Sequence, residues 1–164
     1  WLQPLIGIIR ILTPNRDVIK LDKETTIKTL NKFLKGIYMG IHSYEHFIQK
    51  MSNSPLKEAF VAIQKEQQSH ATMIAERIQQ LGGTPVTNEG MIGKLQADIS
   101  NFFKKLNTDE DILKHAIKGE NIYGIRMTED LVRDKLDQES LNLVKSILNK
   151  DREQVDYLKS LLHN

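Results

Sequence analysis

The chain has 164 residues, and its 23 Lys and Arg against 21 Asp and Glu leave a formal net charge of only +2. This length and an apolar content of 40% predict one globular domain with a hydrophobic core. No dense basic stripe is present, so we expect no nucleic-acid partner. The absence of Cys excludes disulfides, thiolate metal sites and cysteine nucleophiles, and any metal site would need carboxylate, imidazole or carbonyl ligands.

The first 12 residues, WLQPLIGIIRIL, are strongly apolar but too few to cross a bilayer, which takes about 20 residues. They also lack the basic start and the cleavage site of a signal peptide. We expect a cytoplasmic protein, although the absence of Cys does not fix the compartment. Two interpretations stay open. Residues 1–12 form an arm that packs on the domain or on a second copy in a homodimer, or they lie on a membrane surface. We place the arm at residues 1–21 and the domain at residues 22–164.

The next part of the sequence predicts a helical hairpin. Asp22 can cap a first helix that starts near Lys23, and Ser54 can cap a second helix that runs to Leu81. The glycines that follow Leu81 are typical of a helix end. In the first helix the apolar residues follow alternating steps of three and four: Ile27, Leu30, Leu34, Ile37, Ile41, Tyr44, Ile48 and Met51. This spacing predicts one inward helix face.

A second hairpin follows a long connection, in which residues 91–106 predict a short amphipathic helix. The third helix opens at the polar residues 107–110 and continues to about Lys135, and the fourth starts at Asp137 or Gln138. The predicted inward face of the third helix consists of Leu113, Ile117, Glu120, Gly124, Met127 and Leu131. That of the fourth consists of Leu141, Val144, Leu148, Asp151, Val155, Leu158 and Leu162. Two hairpins joined by a long connection predict an all-α four-helix bundle with a crossover.

The two hairpins also resemble each other in sequence. At a numbering offset of 84, Gly40-Ile41 recurs as Gly124-Ile125, and Glu45 recurs as Glu129. A second match, at an offset of 83, aligns residues 34–37 (LKGI) with residues 117–120 (IKGE). Matching helix lengths and inward faces make a duplicated hairpin plausible.

Five polar residues occupy inward positions where apolar residues are expected, and we call them the polar layer: Gln67, His70, Glu120, Asp151 and Gln154. Gln67 follows the first turn, near residue 53, by the same interval as Asp151 follows the second turn, near residue 137. His70 lies as far after the first turn as Glu120 lies before the second. These intervals differ by less than one helical turn, so the residues can form one layer across the bundle if the two hairpins align as the repeat suggests. Buried carboxylates require ionic, metal or hydrogen-bonding partners.

The chain resembles the ferritin-like superfamily over residues 22–162, and it is most similar to bacterial four-helix-bundle families of that superfamily without an assigned activity. The resemblance rests on the architecture and on the sequence segments GIYMGIHSYEHF, QKEQQSHA, IQQLGGTP and IKGENIYG. It implies a di-iron site, with one inward Glu on each of two helices and a Glu-x-x-His pair on each of the other two.

The ligand set that this resemblance implies is incomplete. Gln67 and His70 match one Glu-x-x-His pair, with an amide in place of the acid. Asp151 and Gln154 match the other pair, with a shorter acid and no imidazole. Glu120 matches the inward Glu of the third helix, whereas the LKGI match places Ile37, which cannot bind a metal, at the equivalent point of the first helix. The candidate metal ligands are therefore His70, Glu120, Asp151, Gln67 and Gln154.

We expect a non-enzymatic ferritin-like bundle protein of accessory, stress or interaction type, with an incomplete di-iron site, no assigned catalytic residue and no certain cofactor. Its expected partner is a second copy of the chain, as a dimer. One alternative is a protein that binds iron, manganese or zinc and has a residual redox or storage role. Another is a bundle associated with a membrane surface through residues 1–12. In the first case, hydrogen bonds close the polar layer, which then fixes the helix register.

Overall fold

The computed structural model describes residues 16–52, 54–88, 90, 101 and 103–162. Two long helices form the first hairpin, α1 (Arg16–Lys50) and α2 (Ser54–Gln80). The third helix of the bundle has three parts: α3 (Asp109–Gly119), a π-helical segment (Glu120–Arg126) and α4 (Met127–Val132). The fourth is α5 (Gln138–Leu161). The described part of the chain contains no strand, which confirms the all-α four-helix bundle.

Helix α1 starts at Arg16, well before the predicted start at Lys23, and it continues through the predicted domain boundary. Residues 16–22 contain neither Gly nor Pro, so nothing in them interrupts a helix. The apolar arm at residues 1–12 lies outside the described residues. Most of the short helix predicted at residues 91–106 does too, although residues 101, 103 and 104 are helical. None of the described helices is long and apolar enough to cross a membrane.

The predicted helix ends are confirmed by their hydrogen bonds. The α2 end is a Schellman motif, in which Gly83 N–H donates to Ile78 C=O (2.9 Å) and Gly82 N–H to Gln79 C=O (2.8 Å). Gly82 has φ +81°, and a Cβ at Gly83 would lie 2.7 Å from a methyl carbon of Ile27, so both positions require glycine.

The second hairpin is capped by side chains at both of its helix starts. Thr108 and Asp111 form a reciprocal capping box at the start of α3, with distances of 3.1 and 3.3 Å. Asp137 caps α5 by accepting a hydrogen bond from Ser140 N–H at 2.9 Å. The Arg77 guanidinium from α2 also donates to Asp137 (3.0 Å) and to the Ser140 hydroxyl (2.9 Å), which joins the two hairpins.

The core consists of two apolar clusters. The first contains Tyr44, Phe47, Met51, Phe60, Ile63, Phe103, Leu106, Ile112, Leu113, Ala116, Ile117, Ile125, Val155 and Leu158. The second contains Leu30, Phe33, Leu34, Ile37, Ala71, Ile74, Ile78, Val132, Val144, Ile147 and Leu148. Helices α2 and α3–α4 both start in the first cluster and end in the second. They therefore run parallel, as the predicted crossover requires.

The inward face predicted for the third helix is wrong beyond Glu120. Instead of Gly124, Met127 and Leu131, the buried residues are Ile125, Thr128 and Val132, and Met127 is 56% exposed. The cause is the π-helical segment, because a π turn contains one residue more than an α turn and shifts every later side chain by one position.

The internal repeat contains the same extra residue. The offset between the first and third helices is 83 up to residue 120 and becomes 84 from Gly124 onward. With this change, the inward positions Ile37, Ile41, Tyr44 and Ile48 of α1 correspond to Glu120, Ile125, Thr128 and Val132 of the third helix. The π-helical segment is therefore where the second hairpin has one residue more than the first.

Candidate functional site: the buried polar layer

All five residues of the polar layer are buried, with exposed fractions between 4% and 9%. Gln67 and His70 lie on α2, Asp151 and Gln154 lie on α5, and Glu120 is the first residue of the π-helical segment. On α2 and α5, the buried apolar residues before the layer and those after it belong to different apolar clusters. The polar layer therefore lies between the two clusters.

Two amide side chains donate hydrogen bonds to carboxylates in this region. Gln67 Nε2 donates to Asp151 Oδ1 at 3.2 Å, and Gln154 Nε2 donates to Glu66 Oε2 at 2.8 Å. His70 Nδ1 lies 3.7 Å from Asp151 Oδ1, which is an electrostatic contact but too long for a hydrogen bond. The two amides therefore each supply a hydrogen bond to a carboxylate of the opposite helix.

Three buried polar atoms near the layer have no hydrogen-bond partner within the described ranges: Tyr44 Oη, His70 Nδ1 and Gln154 Oε1. The Tyr44 hydroxyl, on α1, lies beside the Glu120 carboxyl, which can accept its hydrogen bond after a small adjustment, and Asp151 acts on it through charge alone. An unpaired polar atom in a core destabilises the folded state by about 1–3 kcal/mol. The polar layer is therefore the part of the core whose hydrogen-bonding groups are least satisfied.

The acids of the layer are shifted towards their neutral forms. Burial, and after it the negative charge of Asp151, raises the pKa of Glu120 from 4.5 to about 8, while the nearby Tyr44 hydroxyl acts in the opposite direction. Burial raises the pKa of Asp151 from 3.8 to about 7, against the lowering effect of the Gln67 hydrogen bond. Burial also lowers the pKa of His70, although the Glu66 carboxylate opposes it. Neutral forms therefore predominate near pH 7, except at Asp151, which is close to half ionised.

Sequence reasoning missed two members of the site's surroundings, Glu66 and Tyr44. Glu66 is only partly buried and precedes Gln67, so it lies outside the inward spacing of α2. Its hydrogen bond to Gln154 makes it the outer edge of the layer. Tyr44 was predicted only as a core residue, and the structure shows that its hydroxyl also interacts with Glu120 of the layer.

The residues present do not fit a di-iron centre. Ile37, at the first-helix position equivalent to Glu120, is 4% exposed and belongs to the second apolar cluster. Glu45, the acid nearest to the inward face of α1, is exposed. Among the described residues, no group of three or more Asp, Glu or His side chains has a metal-binding arrangement. The acids that would bridge two irons are therefore too few, and two remaining ligand positions are amides.

Comparison with solved structures supports the fold. The ferritin-like, diiron-carboxylate protein from Bacillus anthracis str. Ames is 23% identical, with a TM-score of 0.64 over 86% of this chain and 97% of that one. The dodecameric thioferritin from Bacteroides fragilis, a bacterioferritin-related protein, is 18% identical, with a TM-score of 0.66 over 91% and 94%. The DPS protein from Vibrio cholerae O1 is 15% identical, with a TM-score of 0.66 over 87% and 91%.

At these identities the likeness establishes the fold alone, and it confirms the predicted ferritin-like four-helix-bundle fold. A comparison with functionally curated proteins gives no significant match. Residues 25–134, two thirds of the chain, match a family described as a domain of unknown function, DUF2383. The chain therefore belongs to the DUF2383 family, and its fold is that of a ferritin-like four-helix bundle.

Proposed function

We propose that this chain is a non-enzymatic ferritin-like bundle protein, of accessory, stress or interaction type, whose polar layer specifies helix register and does not hold a di-iron centre. The observation that carries the proposal is the pairing of amides with acids. Gln67 donates to Asp151, and Gln154 donates to Glu66, at the two positions where the resemblance implies Glu and His ligands.

The electrostatics of the layer support this assignment. In the metal-free protein, burial raises the pKa of Glu120 to about 8, so this carboxyl group is mainly protonated at neutral pH and can remain in the core without a charged partner. A buried layer with these hydrogen-bonding requirements disfavours helix slippage, because any shift would bury unpaired donors and acceptors against the apolar clusters. In this function the layer selects one pairing of the two hairpins.

Metal analysis of the purified chain tests the proposal. After expression in iron-supplemented medium and gel filtration without chelators, we expect less than one iron, manganese or zinc per chain by elemental analysis. The matched control is the Asp151→Asn variant, which should have the same metal content as the wild type. Two irons per chain in the wild type, lost in the variant, would contradict the proposal.

A second candidate is a single divalent cation, iron, manganese or zinc, held by His70, Glu120 and Asp151 in a protein with a redox or storage role. It is favoured by one observation, the buried His70 Nδ1 without a hydrogen-bond partner at 3.7 Å from Asp151 Oδ1. An imidazole and two carboxylates suit these metals. Calorimetric titration with zinc or manganese distinguishes the candidates: one-to-one binding that His70→Ala abolishes would favour this one.

We propose further that the chain assembles as a homo-oligomer, with a dimer as the smallest unit. One of the structurally similar proteins is a dodecamer. Deletion of residues 1–15 followed by mass measurement tests whether the apolar arm contributes to assembly. Liposome flotation of the full chain and of the chain without residues 1–15 tests the alternative of a membrane-surface protein. That alternative requires that the full chain binds liposomes and that the shortened chain does not.

A further inference from the structure

The third helix has two possible inward faces in its sequence, and only one of them is used. The unbroken α spacing from Leu113 and Ile117 leads through Glu120 to Gly124, Met127 and Leu131. The structure instead buries Ile125, Thr128 and Val132. Each of the two faces has two large apolar residues beyond Glu120, so either face could pack against the core. The sequence therefore supports an α register as well as the observed π register.

The observed register leaves large apolar side chains in solvent. Tyr123 is 68% exposed and Met127 is 56% exposed, and both lie at or beside the π-helical segment. In an α register Met127 would turn inward and Ile125 would turn outward. The two registers thus exchange Ile125 for Met127 in the core, and Val132 for Leu131, which in the observed register already packs partly buried against the second cluster. These side chains are similar in size, which keeps the difference in hydrophobic free energy between the registers small.

Two backbone features, one inside the segment and one beyond α4, are compatible with the exchange. Gly124, inside the segment, has no side chain, and a Cβ placed there would lie only 3.1 Å from a carboxyl oxygen of Glu120. Beyond α4, Asp134 adopts a positive φ of 55°, a conformation that non-glycine residues rarely adopt. The turn that must absorb a shift of the helix end is therefore already irregular.

We propose that the third helix has two accessible registers and that the π-helical segment Glu120–Arg126 is the hinge between them. Closing the π turn into an α turn rotates the chain from Gly124 onward by about 100° and advances it by about 1.5 Å. Met127 and Leu131 then replace Ile125 and Val132 in the core.

The chain contains no Cys, so single thiols can report on this exchange. Ile125→Cys places a thiol at a buried position that the α register exposes. Val144→Cys places one at a buried position in α5, which has no π segment. We expect the thiol at position 125 to react with a maleimide at least about tenfold faster than the thiol at position 144. Low concentrations of denaturant should not change the rate at position 125, because that thiol is exposed by a local opening and not by global unfolding.

A second substitution tests whether that local opening is the register shift. Met127→Glu adds a charge that solvent accepts in the π register and that the core rejects in the α register, so it should slow labelling at position 125 by about fivefold or more. Met73→Glu, at the exposed Met of α2, is the matched control and should leave the rate unchanged. Equal labelling at positions 125 and 144, or fast labelling that Met127→Glu does not slow, would overturn the proposal.

Discussion

The apolar clusters and the polar layer are equally buried, but they differ in what holds them together. Phe60 and Leu34 in the clusters are fully buried, and the layer residues are 4–9% exposed. Cluster residues require only shape complementarity, whereas Asp151 and Glu120 also require hydrogen-bond partners or a proton. The clusters contribute most of the folding free energy, and the layer decides which arrangement of the helices is folded.

The largest expected effect belongs to the clusters. Phe60→Ala in the first apolar cluster should lower the free energy of unfolding by about 3–5 kcal/mol, because it removes a fully buried ring that packs edge-on against Tyr44 and Phe47. Urea denaturation measures this loss. A change below about 1 kcal/mol would show that this region is not the tightly packed core described above.

A smaller loss is expected within the layer. His70→Ala should lower the free energy of unfolding by about 1–3 kcal/mol, because Asp151 would lose the neighbouring imidazole and remain buried. The expected effect is the same with and without added chelator. If the substitution left stability unchanged in both conditions, His70 would not belong to a buried network.

The smallest effect distinguishes the π register from the α register. Met127→Ala should change the free energy of unfolding by less than about 0.5 kcal/mol, because its side chain is mostly exposed. Ile125→Ala, at a nearby buried position, should lower it by about 2–4 kcal/mol. The reverse order of the two effects would mean that the α register predominates in solution.

Much of this fold follows from the sequence alone. The spacing of apolar residues in α1 and α5 predicts their buried faces, and the equal distances of His70 and Glu120 from their turns predict the polar layer. The reason is that an α-helix has a constant rise and turn, so spacing translates directly into position. The same reasoning fails beyond Glu120, because a π turn contains one residue more than an α turn and so shifts every later side chain by one position.

The sequence contained a signal of this change, the shift in repeat offset from 83 to 84 between residues 120 and 124. It is difficult to interpret in advance because Met127 and Leu131 continue the α spacing with apolar residues. Glu66 could not be placed at all, since partner choice between two helices depends on side-chain rotamers as well as spacing. Whether any metal binds in the layer also depends on such side-chain geometry.

The central claim is that the layer holds buried, mainly neutral acids in place of a metal centre. An acid whose folded pKa is raised contributes stability below its unfolded pKa, and this stability is lost as the pH rises through the folded pKa. For Glu120 that loss extends from its ordinary pKa of 4.5 up to about 8, and for Asp151 from 3.8 up to about 7, so the loss is complete above about pH 8. The pKa of His70 is lowered by burial, so its contribution makes the free energy of unfolding rise with pH, and only below its ordinary pKa of 6.5.

The most direct test is therefore the free energy of unfolding between pH 6.5 and 9, measured in chelator for the wild type and for Glu120→Gln. Since one pKa unit corresponds to about 1.4 kcal/mol, we expect the wild type to lose about 1–3 kcal/mol across this range. Glu120→Gln should lose about half of that or less, because the amide has the same shape and no proton to release. A wild-type stability that stays constant or rises with pH would contradict the account.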